Sequence, residues 1–324
     1  MIYTGTYRDV NHREGRAVFK NLKILVPTDF SHYALFATKY AEAFAKTYGG
    51  EIHFAHVLDA ALFTQGTGQG LWLNKTDADQ LMASMRENAE SRLQHLVDMA
   101  TAEGIPAHHH IVLGSPAHEL LSLIETIGTT FVVIATHGRT GVEHFVFGSV
   151  AERIVRSSPV PVLTVKHPEH EFVDDPTLTP QVKRLMFPTD FSEFSMKAMP
   201  YAQAMCRQFG ATLLLFHASE VPVVLPEFLP ESSASVGADM ESHAKEVLER
   251  MAHSIKDVNV EFDVTTGAPH REICHAVSAR NIDLVVIPTH GRTGIVHALF
   301  GSTAERVVRL APCPVLTIRP EWKA

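Results

Sequence analysis

Only three cysteines occur in 324 residues, at Cys206, Cys274 and Cys313. They are too few and too scattered for a disulfide framework or a cysteine zinc site, and they suit a reducing cytoplasm. Long apolar runs are absent as well: no stretch approaches the roughly 18 residues of a membrane span. Met1 to Asp9 lacks the basic-then-apolar pattern of a secretory signal. There is no basic run, and the net charge is −8, which argues against nucleic acid as a partner. A bound polyphosphate would have to be held by local donors rather than by the global field. The twenty histidines show no ligand spacing of the His-Glu-x-x-His kind, so no metal ligand is assigned.

What the chain does contain is a repeat. Thr136-His137-Gly138-Arg139-Thr140-Gly141 is followed, after six residues, by Gly148-Ser149-Val150-Ala151-Glu152-Arg153. The pattern returns as Thr289-His290-Gly291-Arg292-Thr293-Gly294, again six residues, then Gly301-Ser302-Thr303-Ala304-Glu305-Arg306. Each copy lies between two apolar runs, Phe131 to Ile134 and Pro161 to Val165 in the first, Leu284 to Ile287 and Pro314 to Ile318 in the second. A β-branched run, a glycine-bearing loop, a short helix and another strand make a βαβ unit. An earlier pair matches too: Pro27-Thr28-Asp29-Phe30-Ser31 and Pro188-Thr189-Asp190-Phe191-Ser192, each closing an apolar strand. The repeat sets the domain count at two.

Taken in order, residues 1–20 are polar and aperiodic and read as an arm. Residues 21–166 form the first domain, 167–181 a linker with three prolines and four acids, and 182–319 the second domain. Apolar spacing after Ser31 (Ala34, Ala37, Ala41, Phe44) and after Ser192 (Ala198, Ala202, Met205) predicts helices. Pro200 implies that the second of these starts near it or kinks there. His56 and His217, near the ends of the second strands, read as histidines under a loop, with ligand contact the minority reading. Residues 60–77 and 219–237 read as long loops at the same end of the sheet, suited to a lid, a partner surface or simple disorder. His108, His109 and His110 alternate in face along one strand, so the three neighbours cannot chelate one ion well. Each half reads β-α-β-α-β-α-β-α-β, an α/β fold with a parallel sheet and helices on both faces.

In such sheets ligands sit at the carboxyl ends of strands where the strand order reverses. Asp29 there suits a ribose or an adenine amine. Gly138, Gly148 and the amides of Ser149 and Val150 suit phosphates, because a helix start offers unpaired N–H groups. Against this, Ser149-x-x-Glu152 and Ser302-x-x-Glu305 have the form of capping boxes, which would occupy those donors themselves.

Together these motifs resemble the universal stress protein family, over nearly all of residues 21–166 and 182–319. The resemblance implies two Rossmann-like domains of the adenine nucleotide alpha hydrolase-like type. Each would hold a five-stranded parallel sheet of order 3-2-1-4-5. It also implies dimer-like pairing of strands 161–165 and 314–318 within one chain. ATP-binding members carry Gly-x-x-Gly, nine residues, then Gly-Ser or Gly-Thr. Here Gly138 and Gly291 match the second glycine, and Gly148-Ser149 and Gly301-Ser302 the end; the first glycine is Ala135 or Pro288. Ala disfavours φ > 0 and Pro lacks an N–H.

The resemblance therefore implies a non-catalytic, cytoplasmic stress-response pseudodimer that binds ATP, with Mg²⁺ if required. The first domain would bind through Pro27, Thr28, Asp29, Ala135, Thr136, His137, Gly138, Gly148, Ser149 and Val150. The second would bind more weakly or not at all through Pro188, Thr189, Asp190, His290, Gly291, Gly301, Ser302 and Thr303. The alternative is a nucleotide-free, partner-binding pseudodimer; association into a homo-oligomer stays open. An enzyme is disfavoured, with slow ATP hydrolysis the most that is left open. No His-x-Gly-His or Ser-Gly-Gly-x-Asp loop occurs, and His137 and His290 have no sequence-evident nucleophile or acid beside them.

Overall fold

The first strand, β1 (Leu22–Pro27), carries Ile24, Leu25 and Val26 with no exposed surface at all. Burial on both faces is why residues 24–27 read as a continuous apolar run rather than an alternating one. The computed structural model describes residues 19–59, 75–136, 147–166, 171–173, 177–220, 233–290 and 301–319. These fall into two compact units, residues 20–166 with 173 and 177–180, and residues 181–319 with 19 and 171–172.

In the first unit β1 is followed by α1 (His32–Tyr48), β2 (Gly50–Asp59), α2 (Lys75–Ala102), β3 (Ala107–Gly114), α3 (Pro116–Thr126), β4 (Phe131–Ala135), α4 (Ser149–Ser157) and β5 (Val162–Val165). The strands pair in parallel in the order β3-β2-β1-β4-β5. The second unit repeats this with β6 (Arg184–Pro188), α5 (Glu193–Phe209), β7 (Thr212–Ser219), α6 (Ser233–Ser254), β8 (Val260–Thr266), α7 (Pro269–Ala279), β9 (Leu284–Pro288), α8 (Ser302–Leu310) and β10 (Val315–Ile318). Its order is β8-β7-β6-β9-β10, again parallel.

This order positions the site. Right-handed crossovers from β1 to β2 and from β2 to β3 place α1 and α2 on one face. The path then reverses, so α3 and α4 cover the other face and pack on each other, as α7 and α8 do in the second unit. The reversal falls between β1 and β4, and between β6 and β9, whose carboxyl ends carry the Thr-Asp turns and the threonine–histidine loops.

Helix α1 starts at the Ser31 cap, whose hydroxyl accepts from the Ala34 amide at 3.2 Å. It buries Ala34, Ala37, Ala41 and Phe44, the predicted stripe. Helix α5 begins at Glu193, well before Pro200, so the proline lies inside the helix and does not mark its start. The Met196 carbonyl therefore lacks its usual donor four residues on.

Candidate functional site

The turn after β1 holds a non-glycine residue, Phe30, at φ 63°, and the turn after β6 holds Phe191 at the same angle. Left-handed backbone costs an L-residue about 1–2 kcal/mol. Local bonds hold it in place. The Phe30 amide donates to Thr28 Oγ1 at 3.0 Å and the Ser31 amide to Asp29 Oδ1 at 2.9 Å. Beneath, His56 Nδ1 donates to the Thr28 carbonyl at 2.7 Å while its ring packs on Phe30, 4.6 Å between centroids. The second turn repeats each contact: Phe191 amide to Thr189 Oγ1, Ser192 amide to Asp190 Oδ1, and His217 Nδ1 to the Thr189 carbonyl at 2.8 Å, with His217 stacked on Phe191. His56 and His217 are thus the struts of these turns. One difference stands out: Arg92 of α2 lies 4.2 Å over the Phe30 ring and donates to the Phe30 carbonyl at 3.3 Å.

The second loop is tied to the sheet by Thr136. Its amide donates to the Val165 carbonyl, and its own carbonyl accepts from the Gly148 amide at 2.8 Å. A Cβ at position 148 would lie 3.2 Å from that carbonyl, and one at Gly301 would lie 3.2 Å from the Thr289 carbonyl. The close approach favours glycine at both, since a larger residue would press on the carbonyl by a few tenths of an ångström, whereas the φ of Gly148, −62°, is ordinary.

Two sequence expectations change here. The N-cap of α4 is Gly148, not Ser149, and no side chain caps the helix; the same holds for Gly301 and α8. The capping boxes do not form, because Ser149 and Ser302 sit one residue inside the helix. Glu152 turns instead to Arg156, 2.9 Å away. The first-turn amides are therefore not spent on the helix's own side chains. Ala135 and Pro288 are the last residues of β4 and β9 and are not among the positive-φ residues. The conformational penalty expected for alanine does not arise; only the missing N–H of Pro288 remains.

Strand pairing brings the two loops together. Ile24 and Leu25 lie beside Phe131 and Val132, so the Asp29 turn on one side and Thr136 and Gly148 on the other flank one notch; the ends of β6 and β9 are placed likewise. In the second unit the notch is a cavity of about 780 Å³. Its walls include Thr189, Asp190, Pro288, His290 and the Gly301–Thr303 helix start. The sequence reading missed Asp239, Met240 and His243, which α6 adds to this wall together with Glu220 from the end of β7. Burial, and then the charge of Arg319, pushes His290 below the usual imidazole range, and its Nδ1 lies 3.0 Å from Thr289 Oγ1. At neutral pH it is a neutral polar group, not a counter-charge. His137, Gly138 and Gly291 lie outside the described residues, as do 60–74 of the first long loop and 221–232 of the second. Burial pushes the Cys206 thiol up to about 12, which removes it as a redox nucleophile. Among the described residues, no helix is long and apolar enough to cross a membrane.

The universal stress protein family model matches residues 20–166 and again residues 181–319. The chain belongs to this family. Its relatives include a universal stress protein of Methanocaldococcus jannaschii, 32% identical over 159 residues, which span 49% of this chain and 89% of that protein. One of Synechocystis is 25% identical over 312 residues, 91% of this chain and 99% of its own length. Among solved structures, a universal stress protein from Archaeoglobus fulgidus matches with a TM-score of 0.68 at 23% identity, covering 94% of this chain and 99% of that one. That likeness carries the fold of both halves.

Proposed function

We propose that this universal stress protein is a non-catalytic adenine-nucleotide binder, taking ATP, with Mg²⁺ carried on its phosphates, chiefly in the first domain. The observation that carries the reading is the uncapped start of α4 at a glycine that hugs the end of β4, beside the Asp29 turn. A helix start of this kind attracts an anion by about 0.3–1 kcal/mol per charge, rising to about 2 when partly buried. Micromolar affinity needs about −8 kcal/mol, so several amide contacts and packing of the base must add to it. The cavity of about 780 Å³ in the second unit fits a ligand of nucleotide size.

The preference for the first domain rests on charge and donors. Arg92 supplies a cation beside the Asp29 turn. On the wall of the second cavity Asp239 adds an acid where the first domain has Ser84, and Pro288 stands in place of Ala135; Asp190 and Glu220 have acidic counterparts in Asp29 and Asp59. Calorimetry with Mg-ATP on the full-length protein should show a tight component of binding that Gly148→Trp removes. Absence of heat in both proteins sinks the proposal. The second reading, a nucleotide-free pseudodimer paired through 161–165 and 314–318, is favoured by the added acid Asp239 and the missing N–H of Pro288 in the second cavity. Stoichiometric adenine nucleotide released from purified native protein would exclude it.

A further inference from the structure

We propose that Glu51, His53 and His108 of the first domain form a binding site for a divalent late transition metal, Zn²⁺ by their donor chemistry. Glu51 and His53 are one period apart on β2, and the register sets His53 beside His108 of β3. All three therefore project from one face of the sheet. His53 Nε2 is 3.2 Å from Glu51 Oε1 and His108 Nε2 is 3.8 Å from Glu51 Oε2; one atom from each residue lies within 4.8 Å of the others. Zinc bonds of about 2.0–2.2 Å at tetrahedral angles set neighbouring donors about 3.3 Å apart. The cluster is close to that spacing before any ion binds. His108 is exposed on the edge strand, so rotation of its side chain can close the remaining gap.

Two histidines and a carboxylate with an open fourth position form a zinc donor set that leaves room for water. The next shell is present too. His110 Nε2 is 2.9 Å from His53 Nδ1, with the rings stacked. With the ion on His53 Nε2, His53 Nδ1–H donates to His110, which fixes the tautomer and ring plane as outer-shell partners do. The central member of the histidine triplet, His109, points to the other face and meets Glu90 of α2 at 2.7 Å. The triplet alone cannot chelate; β2 supplies the missing donors. Lys23 Nζ, 3.1 Å from Glu51 Oε1, is the cation an incoming metal must displace or share with.

The second domain serves as an internal control. The register there pairs Leu214 with Glu261 where the first pairs His53 with His108, and Thr212 and Asp263 replace Glu51 and His110. Glu261 is bound by Arg184 at 2.6 Å and Asp263 by Arg280, so this face is closed by ion pairs. The proposed metal site lies at the amino-terminal ends of the strands, away from the nucleotide notch. Its test is thus independent of that reading.

The test is a Co²⁺ titration of the full-length protein, read by d–d absorption, with Zn²⁺ as competitor. Wild type should gain the intense spectrum of four-coordinate Co²⁺, and Zn²⁺ should abolish it. His108→Ala and Glu51→Gln should each lose it, weakening this site at least tenfold. His110→Ala should weaken binding about 10–100-fold with the spectrum kept, and His110→Gln, which retains an acceptor, should restore it. If metal-free His108→Ala melts lower than wild type, Glu51→Gln carries the test. A wild-type spectrum that is octahedral, or that both variants leave unchanged, overturns the proposal.

Discussion

The two halves share their backbone devices and differ in what surrounds them. Phe30 and Phe191 have the same left-handed angle, held by the same threonine, aspartate and histidine contacts. Gly148 and Gly301 approach the sheet to the same distance. Yet Arg92 over Phe30 has a valine, Val247, at the corresponding turn of α6. The counterpart of the histidine cluster on β2 and β3 is, in the other half, a network of arginines and acids. Turn geometry is set by steric limits that few sequences satisfy, whereas a side chain on a wall or an exposed face can change at small cost. The backbone therefore reports what the two notches have in common, and the side chains report where their surroundings differ.

The sharpest way to break the comparison is to fill one notch at a time. Gly148→Trp should remove the micromolar component of ATP binding and leave only the weaker second notch, a loss of about 4 kcal/mol if the remaining binding is millimolar. Gly301→Trp should leave most of the calorimetric heat intact. Equal losses from both variants would mean that the halves bind alike and that the side-chain differences are without consequence for ATP.

A stability contrast comes next in size. Glu42 in α1 is buried, and burial, followed by the nearby Glu103, raises its carboxyl to about 7, against the opposing pull of Lys46. The corresponding position in α5 is Gln203. A carboxyl raised from 4.5 to about 7 favours the folded state fully below pH 4.5, and that contribution is lost as pH climbs to about 7. The shift corresponds to about 3 kcal/mol. Glu42→Gln should therefore leave the urea transition of the first domain less dependent on pH between 4.5 and 7. At pH 8 that domain should be more stable than wild type. A wild-type transition that does not move over this range would show that the carboxyl is hydrated.

Much of this organisation was legible in the sequence because repeated motifs and doubly buried strands leave contiguous signals. The Pro27-Thr28-Asp29 and Pro188-Thr189-Asp190 turns fall where the apolar runs stop, and the histidines beneath them could be recognised as struts. What escaped depends on register or on a choice between neighbours. Gly148 and Ser149 are both acceptable N-caps, and nothing local shows that the approach to Thr136 selects the glycine. His53 and His108 are distant in sequence and meet only because β2 and β3 pair at that offset. The contribution of Asp239, Met240 and His243 to the second cavity is likewise a matter of how α6 lies over β7.

Pro288→Ala probes a smaller difference. It restores one amide at the end of β9, where the first domain already has Ala135. A single new hydrogen bond contributes about 0.5–1.5 kcal/mol. ATP affinity of the second domain should rise up to about tenfold, measured in the Gly148→Trp background so that only that notch binds. No change would place the missing N–H outside the ligand's reach and leave Asp239 as the reason for weak binding.

The smallest effect is expected from Arg92→Val, which gives the first turn the side chain of the second. Arg92 is held by the Phe30 ring and carbonyl, so its charge is fixed near the notch rather than free to wander. Cation–π contacts at exposed sites are worth about 0.5–1 kcal/mol, and salt screens the pull of the charge on a polyphosphate. The variant should bind ATP a few-fold more weakly at low salt and about equally at high salt, while adenosine affinity stays the same. If adenosine weakens by the same factor as ATP, Arg92 acts by shaping the Phe30 turn and its charge does not distinguish the two domains.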